Sequence, residues 1–167
     1  MKLFILLMCF GLSVSAQKNE LVQKNQQVKK KWLSLTGNDV FIYSCMAVSG
    51  AADGINQAIV HHNFGQGNKF WDISVSWKNK YKDWNGGDKS AAFLGSKNIF
   101  VAFTDAFHLS RLVDRGFTLS AVCFSASDLK QYRKKDRWKV IIKKAIVSTL
   151  INRLTFDALF DNLHGPI

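Results

Sequence analysis

Apolar positions fall into four blocks along the 167 residues, separated by polar and basic stretches. The first runs from Leu3 to Leu12. The second, VFIYSCMAVSGAADGINQAIV from Val40 to Val60, carries Asp53 as its sole charge and is rich in small residues. It predicts a helix with Asn38 or Asp39 as N-cap. A second helix is expected over Asn98 to Arg115, capped by Ser96 and stopped by Gly116, and the apolar stretch Phe117 to Ala126 fits helix or strand. Val140, Ile141, Ile142, Ile146, Val147, Leu150, Ile151 and Leu154 predict an amphipathic last helix over Trp138 to Leu163. Between the second block and these helices, Trp71, Ile73, Val75 and Trp77 alternate with polar residues, leaving room for a short strand in a long aromatic and lysine-rich loop. The fold class expected is mainly α: three to four helices, partly membrane-embedded or interfacial.

The first block reads as a secretory signal peptide over residues 1–16. Met1-Lys2 is the basic n-region, and Val14-Ser15-Ala16 places small residues at the cleavage site. The expected organisation is this leader, a polar basic arm over 17–39 and a single helical domain over 40–167. Export is the expected fate, to the cell envelope, membrane-associated or periplasmic. It leaves Cys45 and Cys123, free to pair or to stay as two buried thiols. The uncharged run before Asp53 spans 13 residues, short of the roughly 18 of a clear spanning helix. Small residues such as Gly50 and Gly54 suit close helix approach.

Charge narrows the partners. Lys+Arg number 23 against Asp+Glu 12, a formal net charge of +11. The basic residues gather in the arm Lys18–Lys31, in the loop and in Lys130–Lys144, beside apolar segments. An anionic membrane surface or an envelope protein is the expected partner, and export argues against nucleic acid. In the loop, Trp71, Trp77, Lys78, Lys80, Tyr81 and Trp84 form an interface-type set.

Candidate chemistry sits in two constellations. Asp53, Asn56, Gln57 and His61 fall at i, i+3, i+4 and i+8 of the second block, one helical stripe, with His62 adjacent. Thr104, Asp105, His108 and Arg111 form the other. Asp105 can orient His108 as half of a general-base pair, making these two the catalytic candidates. His61, His62 and His108 are the weak candidates for a metal; no cofactor is expected. The H-E-x-x-H, G-x-S-x-G and C-x-x-C patterns are absent from the sequence.

The succession SGAADGINQAIVHH, FWDISVSWKNKYKD and FVAFTDAFHLSR behind the leader resembles small envelope proteins of the Bacteroidota. No activity is assigned to that group. The resemblance implies an envelope location and one continuous unit, and no catalytic residue. The function expected is non-enzymatic: association with the membrane, with Asp53, Asp105 and His108 in a buried polar network. Two alternatives stand beside it, a metal- or His-dependent hydrolase of an envelope lipid or glycan and a soluble periplasmic binding module.

Overall fold

The computed structural model describes residues 33–81 and 100–165, with Ala92 and Gly95 between them. The leader, the basic arm before residue 33, Trp84 and the proposed Ser96 cap lie outside the described residues. The chain is mainly helical. Three long helices, α1 (Gly37–His61), α3 (Ala106–Asp128) and α4 (Arg137–Phe160), are joined by turns and by one short helix, α2 (Ile73–Ser76). Each long helix has 23 to 25 residues, so each is about 35 Å long at roughly 1.5 Å per residue.

The cap of helix α1 lies two to three residues before either expected cap. Thr36 is the N-cap: its hydroxyl accepts from the Asp39 N–H, and the Asp39 carboxylate accepts in return from the Thr36 N–H, both at 3.1 Å. Asp39 therefore occupies the third helical position of a capping box. Helix α3 runs unbroken through Gly116 and absorbs the ambiguous Phe117–Ala126 stretch. A mid-helix glycine costs about 1 kcal/mol. Here Asp114, Thr118 and Ala121 touch α1 from both sides of Gly116 and hold the helix across it. Its cap is Asp105, with a separate 3-10 turn, Val101–Phe103, before it. Helix α4 ends at Phe160, three residues short of the expected end.

The alternating Trp71–Trp77 segment is taken up by α2, capped by the Asp72 side chain, and by a 3-10 turn over Trp77–Lys80. Extended pairing among the described residues is limited to the bridge between Tyr81 and Ala92. The turn into this segment needs left-handed backbone at Gly65 and Gly67, both at φ 81°, and a Cβ at Gly65 would strike Trp71.

Helix α1 is central. It packs along α3 on one side and α4 on the other, while α3 and α4 meet mainly through the connecting turns. The α1–α3 seam holds the small core of Ile42, Cys45 and Ala121, flanked by Tyr43, Met46 and Phe124. The α1–α4 seam is a backbone-to-backbone approach. A Cβ at Gly50 would collide with the Asn152 carbonyl and the Thr155 hydroxyl, and one at Gly54 would lie 2.7 Å from the Phe156 carbonyl. The small-residue stretch thus serves packing within the chain. Cys45 is buried, with its thiol pKa pushed up by burial, whereas Cys123 is exposed; neither is in a disulfide. Among the described residues, no helix is long and apolar enough to cross a membrane.

Candidate functional site

Polar side chains share the helix seams with the small apolar core, and many large apolar side chains face outward. At the end of the bundle where α1 starts, Asp39 and Asp128 are almost fully buried and share the buried Lys144. Its Nζ lies 2.8 Å from Asp128 Oδ2 and 3.0 Å from Asp39 Oδ1. The second contact lacks hydrogen-bond alignment and is a plain ion pair. Lys143 donates to the other Asp39 oxygen at 3.1 Å, and Asn38 donates to Asp128 at 2.6 Å. Two carboxylates and two ammonium groups thereby neutralise each other where the starts of α1 and α4 meet the end of α3. Burial works to raise the Asp39 pKa, but the Lys144 and Lys143 ammonium groups and the Thr36 N–H outweigh it and hold the carboxyl below its usual range. Tyr132, buried beside the cluster, has its phenol pushed up to about 12 by burial and the nearby Asp128 and Asp39 charges.

This clamp was not legible as such. Lys143 and Lys144 close the basic run Lys130–Lys144, and runs of that kind ordinarily face solvent. The available signal was local: VIIKKAIV sets two lysines in uninterrupted apolar surroundings, with Lys144 one turn after the buried Val140.

In mid-bundle, the Ser49 hydroxyl donates to Asp114 at 2.6 Å and contacts the Thr118 hydroxyl at 2.8 Å. Asn152 of α4 donates to the same hydroxyl and to the Met46 carbonyl, each at 3.2 Å. Buried Asn56 donates to the Phe107 carbonyl and to Ser110, both at 2.9 Å. Asn56 is thus the member of the Asp53 stripe that reaches α3. Asp53, Gln57 and His61 instead line a groove against α4.

Asp105 and His108 do come together. One Asp105 oxygen accepts from the His108 backbone N–H at 2.8 Å, and His108 Nδ1 stands 2.8 Å from both carboxylate oxygens. Thr104 donates to Asp105 at 3.2 Å. Asp105 sits before the helix in extended backbone, so the i, i+3 spacing is that of an N-cap and its third residue, not of two residues on one helical face. With Nδ1 donating, Nε2 of the 41 % exposed imidazole is left to accept a proton. Arg111 is not part of this group; its guanidinium lies over the Phe107 ring at 5.1 Å. Among the described residues Asp53 makes no bond to the pair, and the bonded network here is Thr104–Asp105–His108.

The two adjacent histidines part company at the end of α1. His61 faces the groove, while His62 caps the helix, meets the Leu163 carbonyl at 3.1 Å and packs between Phe160 and His164. The described residues hold no group of three metal-ligating side chains, and His108 lies with Asp105 at the start of another helix. In the loop set, Tyr81 is buried and Trp71 packs edge-on to Phe64; Trp77 is the ring on the surface, with Lys78 over it at 5.8 Å and Lys80 over Tyr81 at 5.9 Å.

Outside, α4 carries Trp138, Ile142, Ile146, Leu150 and Leu154 at 49–68 % exposure. Their i+4 spacing makes one ridge, about 24 Å long at roughly 1.5 Å per residue. Ile141 widens it, and Leu119 and Val122 of α3 and Val40 and Phe41 of α1 are exposed as well. Of the eight apolar positions that marked this helix as amphipathic, only Val140 is buried. The helix turns Lys144 and Asn152 inward and much of its apolar surface outward. Lys130, Arg133, Lys134 and Lys135 are exposed in the turn that precedes it. Comparison with family models, curated proteins and solved structures finds no match, so the reading of these sites rests on their geometry.

Proposed function

We propose that this chain is a non-enzymatic envelope protein that binds an anionic membrane surface, resting the α4 ridge in the interface. The observation that carries the reading is the ridge itself: five large apolar side chains, 49–68 % exposed, on a helix whose inward face holds a lysine and an asparagine. An apolar stripe of this length in water is a standing cost that a lipid interface removes. The basic turn Lys130–Lys135 at its start supplies charge for anionic head groups, each surface cation contributing about 1 kcal/mol. A peripheral mode agrees with helices too short of apolar residues to span.

Flotation with vesicles tests this. The chain is expected to float with phosphatidylglycerol-containing vesicles, less with pure phosphatidylcholine, and less at high salt. The variant Ile146→Ser/Leu150→Ser should stay in the pellet fraction with its fold intact. Equal flotation of this variant would refute the reading. The Asp105–His108 pair favours one competing reading, a hydrolase with His108 as general base. Ester or glycoside hydrolysis by the purified chain that is lost in His108→Ala would establish it.

A further inference from the structure

We infer that the groove between α1 and α4 is a binding site for an organic ammonium group carrying a phosphate, the chemistry of phosphoethanolamine. Asp53, Gln57 and His61, spaced at i, i+4 and i+8, form one wall; Arg153, Phe156 and Phe160 of α4 form the other. The space between them is ≈ 340 Å³, within the roughly 300–1,000 Å³ range of small-molecule pockets.

Charge decides the ligand. In a chain with 23 basic and 12 acidic residues, acids should find partners readily, and most described ones do. Asp39, Asp128 and Asp157 pair with cations, Asp105 with His108, Asp114 with Ser49, and Asp72 with Ser74. Asp53 has no hydrogen bond or ion pair among the described residues, although it is half-buried in the groove. A carboxylate that faces the groove without a protein cation is free to take a charge-assisted bond from a ligand ammonium. Gln57 and His61, also without a bonded partner there, add an amide and an imidazole on the same face.

Arg153 fits the other end of such a ligand. Its guanidinium is held by Asp157, with Nη2 3.0 Å from one carboxylate oxygen and Nε 3.1 Å from the other. It lies 4.8 Å from the Phe156 ring centroid. Its Nη1 hydrogens stay available to a phosphate. Phe156 and Phe160 stack at 5.4 Å and give the short carbon link an apolar surface. The floor is firm because His62 packs on Phe160 and is held by residues 163–165, Gly165 N–H donating to the His62 carbonyl at 2.8 Å.

Two sources share this chemistry, free phosphoethanolamine and the head group of phosphatidylethanolamine; the second rests on the membrane reading and the first does not. Calorimetric titration of the full chain with O-phosphoethanolamine, ethanolamine and glycerol phosphate tests the site. O-phosphoethanolamine should saturate in the millimolar range, with glycerol phosphate at least about tenfold weaker. Asp53→Asn should weaken O-phosphoethanolamine by about tenfold or more, the loss of one charge-assisted contact. Arg153→Gln, at a solvent-facing position, should weaken O-phosphoethanolamine and leave ethanolamine unchanged. Absence of saturation, or unaltered binding by Asp53→Asn with a wild-type circular dichroism spectrum, would overturn the site. Vesicles of phosphatidylethanolamine against phosphatidylcholine then identify the source: a preference abolished by Asp53→Asn marks the lipid, and its absence beside soluble binding marks the free compound. Soluble binding without flotation overturns the membrane reading alone; flotation without soluble binding overturns the site alone.

Discussion

Replacing Lys144 by Met removes the shared cation of the buried clamp at nearly constant volume. Lys144 lies 2.8 Å from Asp128 and 3.0 Å from Asp39, with 4 % of its side chain exposed. In the variant, Asp39 keeps Lys143 at 3.1 Å and the Thr36 N–H. Asp128 keeps only the neutral amide of Asn38. The loss therefore falls on one carboxylate stranded out of water. Breaking a buried pair from one side costs about 3–5 kcal/mol, and the remaining Asn38 bond places this case near the lower end. About 3 kcal/mol is a large share of a typical 5–15 kcal/mol stability, and corresponds to a fall in Tm of roughly 6–12 °C for a chain of this size.

Urea unfolding followed by far-ultraviolet circular dichroism between pH 7 and pH 3 reads the effect. In the wild type, the depressed Asp39 pKa contributes stability that is complete above its unfolded value of about 3.9 and is lost as pH falls through the folded value. Lys144→Met/Asp128→Asn should recover most of the loss, because both charges are then gone. A single-variant deficit below about 1 kcal/mol, the value of an exposed pair, would refute the clamp. A double variant no better than the single one would refute it equally.

The glycines separate packing from propensity. Gly50→Ala should destabilise by about 1–3 kcal/mol through collision with α4, despite alanine's better helix propensity. Gly116→Ala, where a Cβ meets nothing within 4 Å, should stabilise by up to about 1 kcal/mol; thermal melts of the two variants check the contrast. Tyr132→Phe removes a buried hydroxyl that has no hydrogen-bond partner among the described residues, so urea stability at pH 7 should be equal or higher. Because the phenol pKa is raised to about 12, its stabilising contribution is complete below the unfolded value of about 10 and is lost as pH rises towards 12. The alkaline fall in stability should accordingly weaken in the phenylalanine variant. Asp105→Ala should cost about 0.5–2 kcal/mol as a lost N-cap, while Asp105→Asn should retain most of it. Equal losses in urea titrations of the two would show that the His108 ion pair, and not the cap, matters there.

Which features could be read from the chain follows from how local their causes are. The Val40–Val60 run and the spacing of Asp105 and His108 depend on neighbours within one helix or one cap, and both appear as pattern. Gly116 reads locally as a stop, but the helix is held across it by Asp114, Thr118 and Ala121, whose partner α1 lies about 65 residues earlier in the chain. The Trp71–Trp77 alternation reads as a strand by period alone, yet Asp72 accepts from the Ser74 N–H at 2.8 Å and turns the next four residues into a helix. Lys144 was the least legible, since its burial depends on two carboxylates from different helices.

The polarity of the bundle turns on the same distinction. Periodicity identifies two faces of a helix but not which of them is covered; that is decided by the partner. Here the partner of both outer helices is α1, whose seams carry Asp39, Ser49 and Asn56 and the bare backbone at Gly50 and Gly54. Buried polar groups require polar partners, so α4 meets α1 with Lys144 and Asn152. That requirement fixes the rotation of α4 about its own axis. The ridge Trp138–Leu154 then has no place in the seams and must face outward, whatever its hydrophobicity. An exposed apolar surface with this origin cannot be hidden by a small repacking of the chain, because rotating it inward would strand the clamp and the Ser49 network without partners. The ridge is therefore tied to the polar seams, and a partner outside the described bundle is the remaining way to remove it from water.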